Sequence, residues 1–104
     1  MRQAVRDFVR ATDRRDADAF CDLVTRDYLE RSTGLSGDRA WRGCRRQLRA
    51  VAGVRLRLVR IGAVEVDGDR ARATAVLSTQ GSREIRRFRL AREDGDWRVA
   101  GGER

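Results

Sequence analysis

The sequence predicts an α+β fold in which three N-terminal helices pack on the concave face of a curved, four-stranded antiparallel sheet. Apolar residues recur at helical spacing as far as about residue 52, and they alternate with polar residues after Gly53. Turn signals then divide the second half of the chain into short strand-like segments. Helices and strands that occupy separate parts of a chain are typical of α+β rather than parallel α/β proteins.

The first two helices are short and amphipathic. Val5 and Phe8 lie on one face of a helix that is expected to span residues 2–12. Asp16 belongs to a residue type that often caps helix N-termini, and it predicts a second helix that buries Phe20. Both helices are therefore expected to contribute one apolar face to the core.

The third predicted helix is the longest, and its two faces differ. A loop at residues 31–34 precedes it, Ser36 is its expected N-cap, and Gly53 ends it. Its inner face comprises Trp41, Cys44, Leu48 and Val51. Its opposite face comprises Arg42, Arg45, Arg46 and Arg49.

The first and third strands contain breaks in their alternation. Leu58 ends one apolar set, and Val59, Ile61 and Ala63 form the next inward set, so the parity changes by one residue. A similar change is expected near Arg86, because Ile85 is taken as an inward residue. Such β-bulges curve a sheet, and we therefore expect the helices to enclose a cone with it.

An apolar pocket is expected on the hollow side of the sheet. Its predicted lining residues are Phe8, Trp41, Ala71, Ala73, Ala75 and Trp97. The three alanines of the second strand could form a floor that leaves room for a ligand, or could equally allow the third helix to pack closely. The domain is expected to span residues 1–100, with residues 101–104 as a flexible tail.

The composition excludes several kinds of chemistry. All 24 basic residues are Arg, the net charge is +8, and the chain contains no His. The absence of His removes His-dependent acid/base catalysis, Ser-His and Cys-His nucleophile pairs, and the commonest zinc ligand. The sequence therefore indicates no metal and no cofactor, and it has no apolar run near the roughly 18 residues of a membrane span.

Several segments together resemble the NTF2-like (SnoaL-like) superfamily, and in particular its small bacterial members. The segments are Ala4-Val5-Arg6-Asp7-Phe8-Val9, Asp16-Ala17-Asp18-Ala19-Phe20, Val64-Glu65-Val66-Asp67-Gly68-Asp69-Arg70-Ala71 and Asp94-Gly95-Asp96-Trp97-Arg98-Val99. The resemblance covers nearly the whole chain. It implies a cone-shaped pocket and, in many members, dimerisation through the sheet. Members include isomerases, dehydratases, polyketide cyclases and non-catalytic binding modules, so the fold alone does not give a function.

The catalytic machinery of the enzymes in this superfamily cannot be placed on the sequence. The resemblance implies an Asp with Tyr, or a His with Asp, that faces the pocket. Glu65 and Glu84 are both expected to point outward from the sheet. The remaining weak catalytic candidates are Asp27, Tyr28 and Glu30, which could equally serve as capping or solvated loop residues.

Cys21 and Cys44 lie on the inner faces of the second and third predicted helices. Two alternatives are open: a disulfide that ties the helices together, or two buried thiols that act as small apolar residues. Some small bacterial members of the superfamily carry a Cys pair in these helices. If the two are bonded and an export signal has been removed, we expect an extracytoplasmic protein, and otherwise a cytoplasmic one.

Arginine is concentrated in the middle of the chain. Eight Arg and no Asp or Glu occur between Arg39 and Val64. Candidates for binding an anionic partner are Arg42, Arg45, Arg46, Arg49, Arg55 and Arg57. The alternative is a solvated surface in a chain with biased composition. The resemblance implies a dimer that buries the outer surface of the sheet, and a basic sheet would make that dimer costly unless acids of the partner intervene, so we expect a monomer or a weak dimer at low salt.

Three functional hypotheses follow from these observations. The first is a non-catalytic NTF2-like module that binds a small apolar ligand or a protein partner. The second is an enzyme of the isomerase, dehydratase or cyclase type. The third is an accessory domain that binds an anionic partner through its Arg-rich surface.

Overall fold

The computed structural model describes residues 1–50 and 55–103. Within these residues the chain forms the helices α1 (Arg2–Arg14), α2 (Ala17–Asp22), α3 (Arg26–Thr33) and α4 (Gly37–Ala50). The strands are β1 (Arg57–Asp67), β2 (Arg70–Thr79), β3 (Ser82–Glu93) and β4 (Asp96–Glu103). The α+β class and the curved four-stranded antiparallel sheet are confirmed. Val51 and Gly53, which the sequence places at the end of the third predicted helix, lie outside the described residues.

The described part of the chain has four helices rather than the predicted three, because residues 26–33 form a helix of their own. The hydroxyl of Thr25 caps α3 by accepting a hydrogen bond from the backbone N–H of Tyr28 at 3.1 Å. The prediction of a loop at residues 31–34 is wrong for residues 31–33, which belong to α3. The Ser32 and Thr33 hydroxyls donate to carbonyls one turn earlier at 2.7 Å, and the helix ends at Gly34 with φ 72°.

The four strands pair in the order β1-β2-β3-β4, and every pair is antiparallel. The predicted turns are confirmed. Gln80 and Gly81 both have positive φ, as do Asp94 and Gly95, and a two-residue hairpin turn with this geometry follows the right-handed twist of the strands.

The predicted bulge in β1 is confirmed, and a second one lies further along the strand. The register shifts between Leu58 and Arg60, and again between Ile61 and Val64. Because of the second shift, Val64 faces the helices together with Leu58 and Ile61, whereas Val59 and Ala63 are exposed. The expectation that Val59 and Ala63 continue the inward set is therefore wrong.

The predicted parity change near Arg86 is also wrong. β2 and β3 pair without a shift from Arg70 to Thr79, so Ile85 points away from the helices and is 59% exposed. Glu84 takes the inward position instead, opposite the fully buried Leu77. The prediction that Glu84 points outward is thus corrected, since alternation continues unbroken along this part of β3.

The last strand runs further than predicted. Gly101, Gly102 and Glu103 pair with β3, so they belong to the sheet and do not form a separate tail. On its other edge, β4 is covered by the segment between α2 and α3. The amide of Val99 donates to the Leu23 carbonyl at 2.8 Å, and the amide of Thr25 donates to the Val99 carbonyl at 3.0 Å.

The core lies between the helices and the inward face of the sheet. Its largest fully buried side chains are Val5, Cys21, Val24, Leu77, Phe88, Leu90 and Val99. Cys21 and Cys44 form a disulfide that joins α2 to α4. Of the two alternatives left open by the sequence, the structure therefore has the bonded form.

A carboxylate links the end of α1 to the start of the sheet. Asp13 Oδ1 accepts hydrogen bonds from the backbone N–H of Leu56 at 2.8 Å and from Arg55 Nε at 3.3 Å. The Leu56 hydrogen bond, helped by the Arg55 charge, lowers the pKa of Asp13 from its ordinary value of 3.8. Arg55 is thus engaged within the fold.

Candidate ligand-binding cleft

A cleft opens between the helices and the end of the sheet formed by β3 and β4. Its volume is about 260 Å³. The residues that line it are Phe8, Tyr28, Arg86, Phe88, Val99, Gly101, Gly102 and Glu103. The cleft therefore combines an aromatic wall, a glycine-rich backbone edge and a small number of polar groups, which is the usual composition of a small-molecule site.

The apolar wall of the cleft comes from α1 and β3. The rings of Phe8 and Phe88 meet edge to face, with their centroids 5.7 Å apart. Phe8 also contacts Phe20, at a centroid distance of 4.9 Å. Edge-to-face contacts of this kind fix the ring orientations, so the wall is formed before any ligand arrives.

Arg86, which lines the cleft, forms an ion pair that the sequence did not reveal. Arg86 Nη2 lies 2.8 Å from Glu84 Oε1, and each side chain is less than a third exposed. Arg86 lies opposite Ala75 on β2, and the small Ala75 side chain leaves space for the guanidinium on the inward face. Arg86 offers several N–H donors and cannot act as a proton donor in catalysis, because its charge is permanent.

Tyr28 places a second polar group at the rim of the cleft. The Thr25 cap fixes the first turn of α3 and with it the position of Tyr28. Within residues 1–50 and 55–103, its hydroxyl has no hydrogen-bond partner. A phenol that is partly buried and unpaired in this way can donate to or accept from a ligand.

The other two weak catalytic candidates lie elsewhere. Asp27 Oδ2 pairs with Arg31 Nε at 2.8 Å, and the Asp27 side chain is 76% exposed. Glu30 Oε2 accepts from the backbone N–H of Gly37 at 3.4 Å, at the start of α4. Neither carboxylate lines the cleft.

Of the six residues expected to line a pocket, the cleft contains Phe8. The alanines Ala71, Ala73 and Ala75 are buried beneath packed side chains. Trp41 Nε1 donates to Asp22 Oδ1 at 2.8 Å on the helical side. The Trp97 ring lies under the Arg92 guanidinium, 4.7 Å from its carbon.

Sequence reasoning missed Glu84, Arg86 and Phe88 as neighbours on one face. In the sequence, a two-residue apolar period is visible only from Phe88 to Leu90, because Glu84 and Arg86 are charged and the apolar Ile85 lies between them. Ile85, the most hydrophobic residue of the segment, therefore predicts the opposite parity. An exposed Ile beside two inward charges reverses the usual hydrophobic pattern.

The six candidate anion-binding arginines are divided among different surfaces. Arg45 and Arg49 both pair with Asp18, and Arg45 lies over the Trp41 ring at 4.6 Å. Arg42 and Arg46 are exposed on α4, and Arg57 lies on the outward face of β1 opposite Ser78. Arg55 pairs with Asp13 through its Nε at 3.3 Å.

The described residues contain no group of three or more Cys, Asp or Glu that could hold a metal ion. None of the described helices is long and apolar enough to cross a membrane.

No protein-family model and no curated protein matches the chain. Solved structures do match it. A candidate aromatic ring hydroxylase from Novosphingobium aromaticivorans superposes with a TM-score of 0.66 at 19% identity, over 95% of this chain and 80% of the other.

Two further structures match with lower TM-scores. A candidate ketosteroid isomerase from Kribbella flavida gives a TM-score of 0.54 at 22% identity, over 95% of this chain and 73% of the other. A designed protein with a curved β-sheet gives a TM-score of 0.51 at 17% identity, over 94% of this chain and 91% of the other. At identities this low, the structural matches establish a shared fold but not a shared activity. Together with the element order and the bulged sheet, these matches show that the chain has the NTF2-like fold that its sequence resembles.

Proposed function

We propose that this protein is a non-catalytic NTF2-like binding module whose cleft holds a small, largely apolar ligand with one polar group. The observation that carries the proposal is the aromatic wall of Phe8 and Phe88 beside the donors of Arg86 and the unpaired hydroxyl of Tyr28. An apolar body would contact the two rings, and a polar group would reach Arg86 or Tyr28.

Charge supports a neutral polar group on this ligand. Glu84 already neutralises Arg86, so a ligand carboxylate would have to compete with Glu84 for the guanidinium. A hydroxyl or a carbonyl can share the remaining N–H donors without displacing the pair. The cleft is therefore expected to prefer a ring-bearing alcohol or ketone over an acid of the same size.

The alternative is an enzyme of the isomerase, dehydratase or cyclase type. It would need a carboxylate within hydrogen-bond reach of the bound ligand. Among the residues that line the cleft, the carboxylate belongs to Glu103, which is exposed to solvent and lies opposite Arg87 across β3 and β4. The Glu84 carboxylate is engaged by Arg86, and Asp27 and Glu30 serve an ion pair and a helix start outside the cleft. This arrangement favours binding over proton transfer.

The binding proposal can be tested with naphthol, naphthalene and naphthoate as probes in calorimetric titrations. We expect naphthol to bind more tightly than the other two. Tyr28→Phe should weaken naphthol binding about threefold to tenfold, because one hydrogen bond is lost, and should leave naphthalene binding unchanged. Equal affinity of all three probes for both proteins would contradict the proposal.

A second variant tests the location of the site. A Cβ at Gly102 would make ordinary contacts, the nearest being 3.4 Å from the Arg87 carbonyl oxygen, so Gly102→Leu should fold and fill the cleft. Ser82→Leu adds the same side chain at an exposed position at the start of β3 and serves as the control. We expect naphthol binding to be lost in the first variant and kept in the second.

A further inference from the structure

The outward face of the sheet has an apolar centre with arginines around it. Ile85 pairs with Val76 on β2, and Val76 pairs with Arg60 on β1. The neighbouring outward positions hold Arg57 and Arg83, each opposite Ser78. We call this surface the outer basic face, and it consists of Arg57, Arg60, Val76, Arg83, Ile85 and Arg87.

Among the described residues, the arginines of the outer basic face take part in none of the ion pairs. Within residues 1–50 and 55–103, no carboxylate lies within 4.0 Å of the guanidinium groups of Arg57, Arg60, Arg83 or Arg87. On the helical side, by contrast, Asp18 serves both Arg45 and Arg49. Asp18 thus neutralises two arginines of the helical side, whereas the four arginines of the outer basic face lack such an ion pair among the described residues, although Glu103 lies opposite Arg87 in the register of β3 and β4.

The apolar centre is an independent observation. Ile85 is 59% exposed in the middle of a strand, where a large aliphatic side chain costs free energy by contact with water. An apolar centre inside a charged rim is the arrangement of a protein–protein interface. We propose that the outer basic face docks an acidic segment of another protein that carries an apolar side chain, with the acids on the arginines and the apolar group on Ile85.

Two other classes of partner fit this surface less well. Phe88 is the only aromatic residue between Arg57 and Glu93, and it is buried on the opposite face. Single-stranded nucleic acids bind by stacking on aromatic side chains, and membrane-surface sites commonly use Trp or Tyr anchors. The outer basic face has neither feature.

A second copy of this chain also fits poorly. An interface between two outer basic faces would contain Arg60, Arg83 and Arg87 of both copies, and like charges within an interface oppose association. The charge pattern therefore selects an acidic partner over self-association through this part of the sheet.

The test uses a short fluorescent peptide of Glu, Asp and Gly with one central Leu, followed by anisotropy at low ionic strength. Arg83→Glu/Arg87→Glu should weaken its binding by about tenfold or more. Arg42→Glu/Arg46→Glu makes the same change in net charge on exposed positions of α4 and should change binding by no more than about twofold. An equal loss in both double variants would mean unspecific attraction to a basic protein and would overturn the proposal.

A third variant and two further probes complete the test. Ile85→Ser should weaken binding of the Leu peptide and leave binding of the matching peptide with central Gly unchanged. Vesicles that contain phosphatidylserine, and a single-stranded oligonucleotide, should bind without dependence on Arg83 and Arg87. If either of these probes depends on the two arginines while the peptide does not bind, the proposal is wrong. Naphthol titration of the same variants reports on the cleft separately.

Discussion

The two faces of the sheet are formed by the same strands and have opposite chemistry. On the inward face of β2, the side chains of Ala71, Ala73, Ala75 and Leu77 are almost inaccessible to solvent. On its outward face, Arg70 and Arg72 are exposed. Because successive residues of a strand point to opposite sides, buried and charged side chains alternate along β2.

Side-chain volume controls the inward face of the sheet, and charge controls the outward face. On the inward face, side-chain volume decides what fits, and the small Ala75 leaves room for Arg86 opposite it. On the outward face the arginine side chains are exposed, so charge dominates. Substitutions should therefore be costly inside, and close to neutral for stability outside.

The largest expected effect contrasts Leu77 with Ile85. Leu77 is fully buried, and Leu77→Ala should lower the free energy of unfolding by roughly 3–4 kcal/mol, because methyl groups are lost and a cavity remains. Ile85→Ala should lower it by less than about 1 kcal/mol. Urea denaturation of both variants measures the difference. Comparable losses would show that Ile85 is buried and that the assignment of the two faces is wrong.

The disulfide is expected to give the next largest effect. Cys21→Ala/Cys44→Ala opens a connection between residues 23 positions apart, and in the chain-entropy model it should reduce stability by about 3 kcal/mol. Since the bond lies in the helical layer, acidic-peptide binding on the outer basic face should persist in the folded variant. Loss of peptide binding with retained fold would contradict the independence of the two faces.

A smaller effect is expected from two of the strand carboxylates, Glu84 and Glu65. Glu84→Gln leaves Arg86 with a weaker partner on the partly enclosed inward face, and it should cost about 1.5 kcal/mol in thermal unfolding measured at neutral pH. Glu65→Gln, on the exposed outward side of β1, should cost less than about 0.5 kcal/mol. Equal costs would argue against an enclosed Glu84–Arg86 pair.

The subtlest effect is a pH dependence from Asp13. Its folded-state pKa lies below the ordinary 3.8, so its contribution to stability is present above pH 3.8 and is lost as the pH falls through the lower folded value. Asp13→Asn should therefore be less stable than the parent near neutral pH, with the gap closing in acid. Asp67→Asn, an exposed change beside the β1–β2 turn, is the control and should follow the parent.

The order of elements could be predicted because short-range signals determine it. The period change after Gly53, the turns at Gly81 and Gly95, and the β1 bulge each depend on a few neighbouring residues. The fourth helix was missed because Ser32 and Thr33 favour loops in isolation. In the fold their hydroxyls bond to helical carbonyls.

The polar part of the site could not be predicted in the same way. Placing Glu84 and Arg86 inward requires knowing that Ala75 and Leu77 lie opposite them, and this depends on the register of two strands. Hydrophobicity alone pointed to Ile85, which lies on the other face. Tyr28 lines the cleft from α3, and the sequence pattern did not distinguish this helix from its neighbours.

The central claim is that the two faces of this sheet bind different chemistry at separate places. The most direct measurement is NMR chemical-shift mapping of one sample titrated with naphthol and then with the Leu-containing acidic peptide. We predict that naphthol shifts the signals of Tyr28 and Gly102, and that the peptide shifts those of Arg60, Arg83 and Ile85. Overlapping sets of shifted residues, or naphthol shifts on the outer basic face, would contradict the account.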